Sequence, residues 1–150
     1  MKKLFFSLTI AFLFFSCAEK IHSMESASKQ TDASVKLNAH KWYLKKTYED
    51  TDTTEVISKK AFIQFDSANE KVQGNGSCNS FGSALTLDGE KINISKVFST
   101  KMFCEGVQQI EDNFLKQLEK LNRFEINDTV LLLYQDEQML LEFKVNELIF

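Results

Sequence analysis

The sequence predicts an α+β fold: a curved antiparallel β-sheet, partly barrel-like, packed on a single α-helix. Three observations predict it. Short alternating runs of apolar and polar residues, separated by turn residues, fill most of the chain from Lys41 onward. One stripe at helical spacing, Val107, Ile110, Phe114, Leu118 and Leu121, interrupts them. Strands then resume, and a series of many strands, one helix and more strands implies an antiparallel sheet folded over that helix.

The elements are taken in order. Trp42, Leu44 and Lys46 share one face of a first strand. Glu49 to Ser58, rich in Asp and Thr, reads as a loop. Phe62 to Phe65 forms a second strand, the turn Asp66 to Asn69 follows, and Lys71 to Gly74 returns from it. Ala84 to Leu87 and Ile92 to Ile94 flank Asp88-Gly89, a hairpin signal because glycine tolerates positive φ. Val97 to Phe103 can extend the sheet. The helix runs to about Asn122, with Gln108, Glu111, Asp112, Lys116, Glu119 and Lys120 largely off its apolar stripe. Phe124 to Ile126, Val130 to Tyr134 and Met139 to Val145 complete the sheet, and the unbroken run Val130 to Leu133 suggests burial on both faces.

The chain has 150 residues, enough for one domain, with 43% hydrophobic and 26% charged residues. Without Lys2 and Lys3 the remainder carries 16 basic and 21 acidic side chains, a net charge of −5. A mildly acidic body offers no basic footprint for nucleic acid.

The first residues have a different role. Lys2 and Lys3 precede a nearly unbroken apolar run from Leu4 to Phe15. Twelve helical residues span about 18 Å, short of the roughly 30 Å of a bilayer core. The run therefore suits a signal peptide better than a permanent span. Ser16-Cys17 directly after it resembles the lipobox of bacterial lipoproteins. That resemblance implies cleavage after residue 16, lipidation of Cys17 and a membrane partner through this anchor. Ala18 in place of Asp points to the outer membrane, on its periplasmic face. Residues 17–37, with Ser23, Ser26, Ser28, Thr31 and Ser34 among Glu, Lys and Gln, read as a flexible tether that buries too little to order itself. The domain then covers residues 38–150.

The central motifs resemble the META domain family, HslJ-like proteins among them. Gly74-Asn75-Gly76-Ser77-Cys78-Asn79-Ser80-Phe81-Gly82 is similar to its glycine-rich Cys-Asn-aromatic signature. Ser99-Thr100-Lys101-Met102-Phe103-Cys104 resembles its Thr-x-Met-x-Cys segment, and Trp42-Tyr43-Leu44 an early Trp-x-Leu. Glu111 with Phe114, Leu115 and Leu118 resembles its acidic helix. Trp42, Gly76, Asn79, Phe81, Thr100 and Met102 are the matching motif residues. Ser77 departs from the glycine usual before the Cys, and Ala84 from a usual aromatic. The resemblance implies a small envelope domain linked to stress tolerance, with no catalytic residues and no cofactor to carry over.

With Cys17 acylated, Cys78 and Cys104 form the remaining pair, and an oxidising envelope favours joining them. Two buried free thiols are the alternative. A reactive thiol is a third reading, disfavoured by Glu105 beside Cys104 and favoured by the nearby helix start. No metal is expected. His22 and His40 are the two histidines, and His40 with Cys78 and Cys104 is a conceivable but unsupported ligand set. Gly74-Asn75-Gly76 lacks the Lys and the following helix of a phosphate loop and reads as a tight turn or bulge. Asn79 reads as a turn residue bonded to local backbone. The expected protein is a non-enzymatic monomer that contacts an envelope protein or small ligand. A thiol redox protein using Cys78 and Cys104, or a hydrolase inhibitor presenting Glu49 to Ser58, is the alternative.

Overall fold

A computed structural model of the chain describes residues 32–49, 52–56 and 60–145. The signal segment, Cys17 and His22 lie outside the described residues. Helix α1, residues 32–38, comes first. Strands β1 (Lys41–Glu49), β2 (Asp52–Glu55), β3 (Phe62–Asp66), β4 (Lys71–Asn75), β5 (Ser80–Asp88) and β6 (Lys91–Ser99) follow. Helix α2 (Gln108–Leu118) leads to β7 (Arg123–Asn127), β8 (Val130–Gln135) and β9 (Gln138–Val145).

All pairings are antiparallel, in the order β2-β1-β3-β4-β5-β6-β7-β8-β9, and β1 also pairs with β9. The sheet therefore closes on itself, which removes most of its free edges. β1 serves three partners. Residues 41–43 pair with β3 and residues 46–49 with β2 along one edge, while 42–47 pair with β9 along the other. The weakest seam lies between β6 and β7, where Lys91 faces Arg123 as the one register pair. The Ile92 N–H donates to Asn122 O (3.1 Å) and the Phe124 N–H to Glu90 O (3.0 Å) on either side of it.

The connection across that seam carries α2. Phe114, on its inner face, stacks edge-on against Phe81 of β5 at 5.5 Å and Phe143 of β9 at 5.8 Å. Gln117 donates from Nε2 to the Tyr48 carbonyl of β1 at 2.9 Å. The helix thus plugs the barrel by touching strands far apart in sequence. Trp42, Leu44, Ile63, Ile94, Leu131, Leu133 and Leu141 fill the interior beneath it, each at most 1% exposed.

Four details differ from the sequence expectations. The predicted tether ends earlier, because residues 32–38 are helical and Leu37 is fully buried. The Trp42 indole Nε1–H donates to Leu37 O at 3.0 Å, so α1 belongs to the domain as a second helix. The expected loop from Glu49 to Ser58 contains β2, which pairs on β1 from Lys46 to Glu49. Lys46 does not continue the Trp42–Leu44 face. A bulge between Leu44 and Lys46 shifts the buried position to Thr47. Finally, β8 is not buried on both faces: Leu131 and Leu133 point inward, while Val130 and Leu132 are half-covered outside.

Candidate functional site

The turn from β4 to β5 is built by its own side chains. Asn75 Oδ1 accepts the Ser77 N–H at 2.9 Å, and the Gly76 N–H donates to Asn79 O at 2.8 Å. This is a tight turn rather than a phosphate loop. Gly74 lies within β4, and no helix follows Gly76. Ser77 sits at φ 120°, a conformation natural to glycine and costly with a side chain.

Beneath the turn lies a carboxylate that the sequence reading placed off the apolar stripe. Glu111, in the first turn of α2, is 2% exposed. Its Oε2 accepts the backbone N–H of Cys78 at 3.0 Å and of Asn79 at 2.6 Å, and its Oε1 accepts Asn79 Nδ2–H at 2.6 Å. Every partner is an N–H donor, which matches an acceptor-only group. Its place near the helix N-terminus adds a favourable dipole. Gly76 is what admits it: a Cβ there would stand 2.6 Å from Glu111 Cγ.

Asn79 is saturated in turn. Its Oδ1 accepts the Thr100 hydroxyl at 2.8 Å and the Met102 N–H at 2.8 Å. Its Nδ2 gives a second hydrogen to Met102 O at 2.9 Å. Both backbone groups of Met102 are therefore held by one side chain from 23 residues away. Asn79, expected to bond local backbone, works at long range through its side chain, and Asn75 takes the local role.

Cys78 and Cys104 are joined as a disulfide with Cα atoms 6.0 Å apart, within the usual range. Both are partly buried. The bond fixes the far end of the segment that Asn79 grips at Met102. The Thr100 N–H donates to Ser80 O at 3.1 Å and fixes its near end. Residues 100–104 are thus tied at alternate positions. A shallow depression of about 250 Å³ opens beside them, lined by Asn79, Thr100, Met102, Phe103, Glu111 and Leu115 among others.

The structure gathers Gly76, Asn79, Phe81, Thr100, Met102, Cys78 and Cys104 around α2. Trp42 is elsewhere, in the core near α1. His40 is not brought to the cysteines; its ring packs edge-on against Trp42 at 5.4 Å. Among the described residues no group of three or more His, Cys, Asp or Glu could hold a metal ion. Glu111, matched to the acidic helix of the family but expected off the apolar stripe, lies on the core face, and its spacing carried a signal: Val107, Glu111, Phe114, Leu118 and Leu121 follow a four–three repeat.

The fold recurs in solved structures of low identity. A protein from Burkholderia xenovorans, solved by NMR, is 20% identical with a TM-score of 0.63, covering 97% of this chain and 99% of that one. A second NMR structure is 19% identical with a TM-score of 0.59, over 78% and 97%. A crystal structure of a DUF4847 family protein from Bacteroides vulgatus is 14% identical with a TM-score of 0.55, over 73% and 94%. No curated protein matches the sequence. The META domain matches residues 35–147, from within α1 to just past β9, and takes in every residue of the network. The chain belongs to the META domain family.

Proposed function

We propose that this protein is a non-enzymatic lipoprotein of the cell envelope. In this reading Cys17 is acylated and tethers the META domain to a membrane, where the domain acts in stress tolerance by contacting another envelope molecule. The observation that carries it is the run from Lys2 to Cys17, a charged start and an apolar core too short to span, ending in Ser-Cys. The Cys78–Cys104 bond supports it, because disulfides persist in oxidising compartments. The polar groups of the network support a structural role. Glu111 and Asn79 use their capacity on one another and on backbone, leaving no aligned nucleophile and base. The META domain is not a known enzyme family, in keeping with that role.

Labelling cells with a palmitate analogue tests the anchor. The protein should take up label, and Cys17→Ala should abolish it. An unlabelled wild-type protein that behaves like Cys17→Ala removes the proposal.

A thiol redox role is the second reading, favoured by the partial exposure of Cys78 and Cys104. It requires fast reaction with mild reductant and unchanged folding of the reduced protein.

A further inference from the structure

Four large apolar side chains stand exposed among the described residues: Val35, Phe98, Met102 and Phe103. Three of them fall within six positions of one another. Phe103 is 80% exposed, Phe98 71% and Met102 61%. A floppy loop could shed such residues into solvent at little cost, but this segment is not floppy. Thr100, Met102 and Cys104 are each fixed, by Asn79 or by the disulfide. The network of Glu111 and Asn79 thus presents two bare apolar side chains.

Phe98 is aimed outward by a separate device. The β5–β6 register slips between Gly82 and Ala84, so that Ala84 faces Ser95 while Gly82 faces Phe98. The extra residue includes Lys96, at φ 56°. Ile92 and Ile94 point inward before the slip. After it the alternation reverses, and Phe98 stands outside over Gly82, where a Cβ would lie 2.6 Å from its ring.

We propose that Phe98, Met102 and Phe103 form a tip that inserts into the interfacial layer of an anionic phospholipid bilayer. The proposal rests on the reading of the chain as a membrane-anchored lipoprotein. Three side chains offer at most a few hundred Å², against the roughly 800 Å² per partner of a stable protein interface. Interfacial insertion needs only apolar tips beside cations. Lys96 and Lys101 are exposed and are the charged residues between Ser95 and Cys104; the carboxylates beside this segment, Glu119 on the Val97 N–H and Asp112 in the depression, come from α2 and its C-terminal end. Glu105 lies beyond the disulfide. Each such Lys is attracted to an anionic surface. The tip lies at the α2 end of the barrel and α1 at the other, but reach is sufficient. Any chain of fifteen residues, the separation of Cys17 from Asp32, can span at most about 50 Å, against about 30 Å for a nine-residue strand such as β1.

The test uses the full acylated chain carrying Phe103→Trp, in vesicles of phosphatidylethanolamine and phosphatidylglycerol with brominated acyl chains. Trp42 is fully buried and serves as the internal reference for folding. The added emission should shift to the blue and be quenched, and Lys96→Glu with Lys101→Glu should reverse both. Quenching that persists in Cys17→Ser supports the tip even where mass spectrometry finds no acyl chain on the wild type. Protein that sediments with vesicles while the added emission stays unquenched overturns the tip and leaves the anchor standing. A blue shift without vesicles, concentration-dependent or on adding envelope protein, overturns the bilayer as occupant.

Discussion

Glu111 accepts three N–H groups, and two of them belong to Asn79, one from its backbone and one from its side chain. The pairing fixes which way the Asn79 amide faces. Its oxygen is thereby committed to Thr100 and to Met102. A carboxylate at the start of α2 and the backbone of an exposed loop are coupled through one planar amide.

Glu111→Gln tests that coupling without changing shape. Its new amide would face Asn79 Nδ2, donor against donor. Flipping Asn79 would strip Thr100 and Met102 of their acceptor. The expected loss is about 2–3 kcal/mol in chemical denaturation, the cost of buried groups left unpaired.

Removing the disulfide acts through the unfolded chain. The bond closes a separation of 26 residues, for which chain entropy gives about 3.5 kcal/mol. Cys78→Ser with Cys104→Ser should melt well below the wild type, and reductant should bring the wild type to the same point. A melting temperature indifferent to both changes contradicts a structural bond.

Ser77→Gly should stabilise the protein. Glycine relieves the φ of 120°, and the change removes a buried Ser77 hydroxyl that has no hydrogen-bond partner. Offset by the extra freedom of glycine when unfolded, the net gain is about 1 kcal/mol. A thermal shift assay reads it directly.

Alkaline unfolding should involve Tyr48. Burial first, then its hydrogen bond to Glu142 at 3.0 Å and that carboxylate's charge, push its pKa from 10.0 to about 12. The folded state then holds a proton that the unfolded state has released. Stability from this source is complete below pH 10 and lost as pH rises through about 12. Tyr48→Phe should flatten that part of the stability profile.

The strands and α2 were legible because alternation and the three-to-four spacing are local properties of the chain. What escaped was set by tertiary contact. Lys46 left its face because a bulge inserted a residue, which no pattern of side chains announces. β2 reads as a polar loop because all four of its residues are exposed, and pairing with β1 alone makes it a strand. Leu37 seemed part of a polar spacer until Trp42 supplied its partner. In the site, the motif residues stand out by spacing, but the long reach of Asn79 depends on Glu111, a charged residue that composition alone sets off the apolar stripe. A charge on a core stripe is a conflict between local and global preference, and here the conflict marked the centre of the network.

Amide hydrogen exchange at Met102 measures the central claim most directly. Its side chain is exposed and it lies in neither helix nor strand, so an ordinary loop would exchange this hydrogen almost at the free-peptide rate. The account predicts protection comparable to the core strands, lost in Asn79→Ala. Free-peptide exchange at Met102 in the wild-type protein would contradict it.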